Sequence, residues 1–170
     1  MSESKSPETA KSTAPFVVHF QYLKDLSMEN PNPLAHLTDN KDTKPEISIN
    51  VQVNARHLAE RMFEVVLEIN ADAKRGTDKM FLCQVQYAGL FSLREDIPEA
   101  QFRDILLENC PELLFPFARN IVADATRETG FPPLMLQPVD FKSLNKSQNN
   151  PQSNGAVEEK TSVGAEATAH

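Results

Sequence analysis

Long hydrophobic runs are missing from this sequence. No apolar stretch approaches the roughly 20 residues that a bilayer-crossing helix needs, and residues 1–20 mix acids, lysines and serines rather than setting a basic stretch before an apolar one. A spanning helix is excluded, and the cytoplasm is the expected location. Cysteine is scarce too: Cys83 and Cys110 are the only two. They are too few for a disulfide framework, and no CxxC or close Cys/His spacing points to zinc, so buried free thiols are expected. The five glycines form no P-loop, GxGxxG or GxSxG pattern. Positive charge is also short, with 17 Lys and Arg against 24 Asp and Glu and a net charge of −7. Such a balance repels nucleic acid and anionic lipid and favours a basic partner.

What is present is enough for one domain, since 40% of the 170 residues are hydrophobic. Residues 1–15 and 146–170 are polar, without spaced apolar positions, and are expected to be disordered tails around a domain at 16–145. Within that domain 13 Lys and Arg face 19 Asp and Glu, so the acidic excess lies on the folded part. Phe16, Val18, Phe20, Tyr22, Leu26 and Met28 recur with period two and predict a long half-buried strand. After a proline-rich break, Ile47 to Val53, Phe63 to Ile69 and Phe81 to Tyr87 alternate in the same way. Four strands joined by short turns or one longer loop predict an antiparallel sheet. The period then changes. Asp96 and Glu99 resemble a capping box for a helix running up to Pro111. Leu114, Phe117, Ala118, Ile121, Val122 and Ala125 predict a second helix that Gly130 and Pro132-Pro133 should end, with Pro116 as its awkward member. A two-layer α+β domain follows, with two main helices packed on one sheet face.

If the apolar side of every strand meets the helices, Asp25, Glu29, Glu46, Glu64 and Glu68 share the other side, with no Lys or Arg expected among them. Leu82, Met62 and Val66 should lie between them. An acidic surface with apolar spots suits a basic, partly apolar protein segment, whereas inert surfaces usually mix both signs. Solvation alone explains any one of these acids. Catalysis has little support: Glu64 and Glu68 would stand roughly 13 to 14 Å apart on one strand, too far for a glycosidase-type pair. The four histidines lack metal-ligand spacing, and Cys83 falls in the core phase. No enzyme is expected. Leu113, Leu114, Phe115 and Phe117 are more apolar surface than one sheet face can bury, which predicts a helix-mediated subunit interface over a simple buried helix. Gly89, Leu90, Phe91, Ser92 and Leu93 read as an apolar connector that packs in the core or lines a groove.

Four ordered stretches carry a resemblance. They are Tyr22-Leu-Lys-Asp-Leu-Ser-Met-Glu-Asn-Pro31, Phe81-Leu-Cys-Gln-Val-Gln86 running into Gly89-Leu-Phe-Ser92, Cys110-Pro-Glu-Leu-Leu-Phe-Pro-Phe-Ala-Arg119, and Phe131-Pro-Pro-Leu-Met-Leu-Gln-Pro-Val-Asp-Phe141. Spread through 16–145, they resemble the bacterial protein-export chaperone SecB family. The resemblance implies a cytoplasmic homotetramer, a dimer of dimers, that binds unfolded preproteins without ATP and delivers them to the SecA motor. It implies SecA docking at Asp25, Glu29, Leu82 and Gln84, the last often a glutamate in the family, and client binding near Leu90, Phe91 and Leu93. The family's tryptophan before the second strand is absent, the chain reading Asp42-Thr-Lys-Pro45. Its zinc belongs to SecA, so the resemblance implies no cofactor for the chain itself. The alternatives are a SecB-like chaperone dedicated to one partner, as in a toxin–antitoxin system, and a small-molecule-binding or enzymatic α+β protein that uses the connector.

Overall fold

The computed structural model describes residues 14–38 and 44–148. The tails read at 1–15 and 146–170 therefore lie almost wholly outside the described residues, as do Asp42 and Thr43 of the loop before the second strand.

Four long strands, β1 (Phe16–Glu29), β2 (Glu46–Ala59), β3 (Met62–Arg75) and β4 (Asp78–Leu93), form one antiparallel sheet in the order β1-β4-β3-β2. A short helix, α1 (Pro33–Thr38), lies between β1 and β2. The β2–β3–β4 meander follows from its turns. Gly76 takes a positive φ of 62° in the two-residue β3–β4 connection, a conformation that glycine adopts at little cost. Strict alternation then sends Phe63, Val65, Leu67, Ile69, Ala71 and Ala73 to one face, and their neighbours Phe91, Val85, Cys83 and Phe81 on β4 join them there. Most of these side chains are fully buried, each large one contributing about 1.5–3 kcal/mol of hydrophobic stabilisation.

The segment Gly89–Leu93 is not a connector: β4 continues through it in the same phase. Gly89 sits in the core layer opposite Val65, and a Cβ there would stand 2.5 Å from Cε2 of Phe91 and 3.0 Å from Cδ2 of Leu114. The missing side chain lets the Phe91 ring and the overlying helix close onto the sheet.

The expected pair of helices meeting at Pro111 is instead one continuous helical run. It consists of a 3₁₀ turn (Glu99–Gln101), α2 (Phe102–Asp104), a π turn (Ile105–Asn109) and α3 (Cys110–Glu128). The π turn precedes Pro111, whose missing N–H leaves a carbonyl of the preceding turn without its bond; helices widen at such places. Pro116 is tolerated inside α3 because it and Glu112 lie on the open side, where water can take the orphaned carbonyl. Asp96 does not cap the run. Its carboxylate is held by Arg94 at 2.8 and 3.0 Å, and Pro98 occupies the N-cap position. At the other end Gly130, at φ 89°, stops α3: its N–H bonds to Arg127 O and that of Phe131 to Thr126 O, a Schellman closure.

The second helix on this face is α4 (Phe141–Gln148), which runs past the boundary drawn at 145. Asp140 starts it, accepting hydrogen bonds from the Ser143 N–H at 3.0 Å and hydroxyl at 2.6 Å. Thr126 pins the intervening segment by accepting the Leu134 N–H at 2.9 Å, and Phe141 packs edge-on against Phe115. Leu114, Ala118 and Val122 of α3 face the sheet, so the core lies between one sheet face and the helical layer. Cys83 and Cys110 are both buried free thiols, and burial raises the pKa of each.

Candidate functional site

The uncovered sheet face is a grid of cross-strand rungs. Its first three rungs are Glu29–Leu82–Asp72–Ser48, Ser27–Gln84–Asn70–Asn50 and Asp25–Gln86–Glu68–Gln52, from β1 across to β2. Asp25, Glu29, Leu82 and Gln84 thus come together on one patch. Asp25, Glu29 and Gln84 are exposed and Leu82 is half-buried. Among the described residues neither Asp25 nor Glu29 has an ion-pair partner, so two carboxylates are open to a cation.

The rest of the face departs from the sequence reading. Glu64 is not an open acid but only 5% exposed. Lys24 Nζ lies 3.0 Å from both its oxygens, Arg56 pairs with it at 3.2 Å, and the Tyr22 hydroxyl donates to it. The Tyr22 bond, then that of Lys24, holds the Glu64 carboxyl below the ordinary carboxylate range against the opposing effect of burial. The same bond and burial raise the Tyr22 phenol. Lys24 and Arg56 therefore share the face, and Glu64 belongs to a clamp of residues from β1, β2 and β3 rather than to an acidic surface. Glu68 accepts from Asn70 at 3.0 Å, Asp72 meets Lys74 at 3.8 Å, and Glu46 lies opposite Lys74. Free negative charge is concentrated at the Asp25–Glu29 end.

The cause is a pair of bulges in β1. His19 and Lys24 are each an extra residue in the pairing with β4. The first inverts the phase and the second restores it. Phe20 and Tyr22, expected on the helix side, therefore lie on the open face, whereas Leu26 and Met28 return to the helix side and Asp25 and Glu29 stay open. The sequence holds one signal of this: strict alternation would have put the charged Lys24 in the core phase.

Phe91 is fully buried and Leu93 nearly so, which commits both side chains to the protomer's own core. Leu90 points to the open face, opposite Phe20, and is half-buried. The three residues do not form one groove. A groove that the sequence did not reveal lies at the other sheet edge, where β2 pairs only with β3. Ile49, Val51, Leu136, Val139, Asp140 and Leu144 help to line a space of about 230 Å³ there.

Comparison with known proteins decides the family. Residues 9–152 match the family described as preprotein translocase subunit SecB. The chain belongs to the SecB family. It is 47% identical over 152 residues to the protein-export protein SecB of Rhodospirillum centenum, which covers 88% of this chain and 89% of that one. It is 44% identical over 131 residues to the protein-export protein SecB of Paramagnetospirillum magneticum, 77% of this chain and 83% of the other. Among solved structures, a Mycobacterium tuberculosis SecB-like chaperone in complex with an antitoxin peptide superposes with a TM-score of 0.60 over 74% of this chain and 91% of that chain. At 17% identity that likeness speaks for the shared α+β fold. As a SecB protein the chain is a protein-export chaperone. No helix among the described residues is long and apolar enough to cross a membrane.

Proposed function

We propose that this SecB protein works in the cytoplasm as a homotetramer, a dimer of dimers, that holds unfolded preproteins without nucleotide and hands them to SecA. The observation that carries the SecA part is the open patch of Asp25, Glu29, Leu82 and Gln84, with two carboxylates lacking an ion-pair partner among the described residues. A basic SecA segment is drawn there by charge, and Leu82 adds an apolar contact that slows release. Gln84 takes part as a neutral hydrogen-bonding side chain in the rung between the two acids. No catalytic step and no resident cofactor belong to this reading.

For the client, the groove beside β2 supplies what an extended chain needs. The strand's outer backbone edge accepts strand pairing, and Ile49, Val51, Leu136, Val139 and Leu144 receive alternate apolar side chains. Such contacts are weak singly and add up across subunits along one client. A folded protein, having hidden its apolar residues, escapes capture.

Replacing Asp25 and Glu29 together with alanine tests the docking reading. SecA binding by calorimetry should be lost, with oligomer mass and client capture unchanged. Full SecA affinity in the double variant would reject the docking site.

A further inference from the structure

Beyond the acidic rungs, the same open face becomes apolar. The next rungs are Tyr22–Ala88–Val66, Phe20–Leu90–Glu64 and Val17–Ser92–Met62. Phe20 is 66% exposed and Val17 50%, and neither belongs to the core. The first β1 bulge is what turns Phe20 outward; in unbroken alternation it would face the helices. A large aromatic ring held in water by a backbone irregularity is a feature of this chain that folding does not require. Glu64, at the β3 end of the Phe20–Leu90 rung, is neutralised by Lys24 and Arg56, so the strip carries little free charge.

The geometry points to an extension of the docking surface. The strip of Phe20, Val17 and Leu90 takes an apolar anchor of the same partner whose basic groups settle on Asp25 and Glu29. This rests on the SecA-docking reading above and adds a second contact of different chemistry. Continuity argues for one partner: both regions lie on the outer side of the same strand pair, β1 and β4, with the Tyr22–Ala88 rung between them. From the Gln86 rung, which holds Asp25, to the Leu90 rung, which holds Phe20, is four residues of β4, about 14 Å. The occupant is thus a segment with a basic side chain and a large apolar side chain about four residues apart if extended. Charge would set its arrival and the aromatic contact its residence. The anchor also offsets the charge that Gln84 does not supply.

The test measures purified SecA binding to the full-length wild type, Phe20→Ser, Val17→Ser and Asp25→Ala/Glu29→Ala at several salt concentrations. Phe20→Ser should weaken SecA about tenfold through faster dissociation, with the salt dependence, oligomer mass and client capture unchanged. Val17→Ser should act the same way, to a smaller extent. Wild-type SecA affinity in Phe20→Ser, beside loss in the acid variant, would overturn the extension and leave the docking reading standing. If the acid variant also binds normally, the docking reading itself fails. A changed mass would assign the strip to a second copy of this chain, and lost client capture with intact SecA binding to the preprotein; either result overturns the proposal.

Discussion

Two residues decide how the strands and the helical layer hold together. Glu64 receives bonds or ion pairs from Tyr22 and Lys24 on β1 and Arg56 on β2, so a single carboxylate of β3 ties both outer strands across the sheet. Glu64→Gln keeps the shape and removes the charge. Because Lys24 and Arg56 are partly exposed and can turn to water, the expected loss is about 1–2 kcal/mol, less than for a fully buried pair. The pH dependence follows from the lowered Glu64 pKa. Its contribution is present above the ordinary carboxylate value of 4.5 and is lost as pH falls through the lower folded value. Urea midpoints followed from pH 7 downward should decline more steeply in wild type than in Glu64→Gln. Gly89 is the second such residue. An alanine Cβ would collide with the buried Phe91 ring, and Gly89→Ala should cost about 1–3 kcal/mol, visible as a lower urea midpoint with unchanged slope.

Elements differ in how plainly their residues announce them. The meander of β2, β3 and β4 was legible because most apolar residues from Ile47 to Tyr87 keep one phase, Met62, Val66 and Leu82 being exceptions, and hairpin turns leave no other pairing. The extent of β4 was not, since Gly89 broke the apolar series at the point where the core is tightest. In β1 two bulges cancel. Counting by twos therefore placed Asp25 and Glu29 correctly and Phe20 and Tyr22 wrongly, for backbone irregularity leaves almost no compositional trace. The acids of the open face were legible and the neutralisation of Glu64 was not, because Lys24 and Arg56 reach it across strands whose register the sequence does not fix. Helix α4 escaped notice for its few apolar residues, although Asp140 and Ser143 carry its start signal. Asp140→Ala should leave the sheet intact and loosen this element. Amide exchange at Leu144 to Ser147 should speed up at least severalfold, with β3 amides unaffected.

At the scale of the whole molecule, the helical layer leaves an apolar band uncovered. Leu113 and Phe117, one turn apart on α3, are 37% and 49% exposed, and the Phe117 ring stacks on Tyr87 at 5.9 Å. On the same side of the sheet the edge strand β1 presents Leu23 and Leu26, both largely open. A lone protomer would hold these side chains in water, next to a strand edge with free backbone groups, and that combination favours association with further copies. The proposed oligomer would follow from incomplete coverage: α3 is wide enough in apolar residues to serve two surfaces, with Leu114 and Ala118 buried against its own sheet while Leu113 and Phe117, the latter at the margin beside Tyr87, stay exposed. Phe117→Asp should separate the two roles. It places a charge on the open stripe and leaves the buried one untouched, so circular dichroism should stay native while light scattering, if the wild type is the proposed tetramer, falls to the mass of two chains or one. Client capture should weaken with it, because under the proposed function the groove beside β2 would grip a preprotein only weakly in a single protomer, and the gain from linking several grooves would disappear when the copies part. A native mass in Phe117→Asp would move the subunit contact off this helix, and an undiminished capture by the separated subunits would show that one groove is enough.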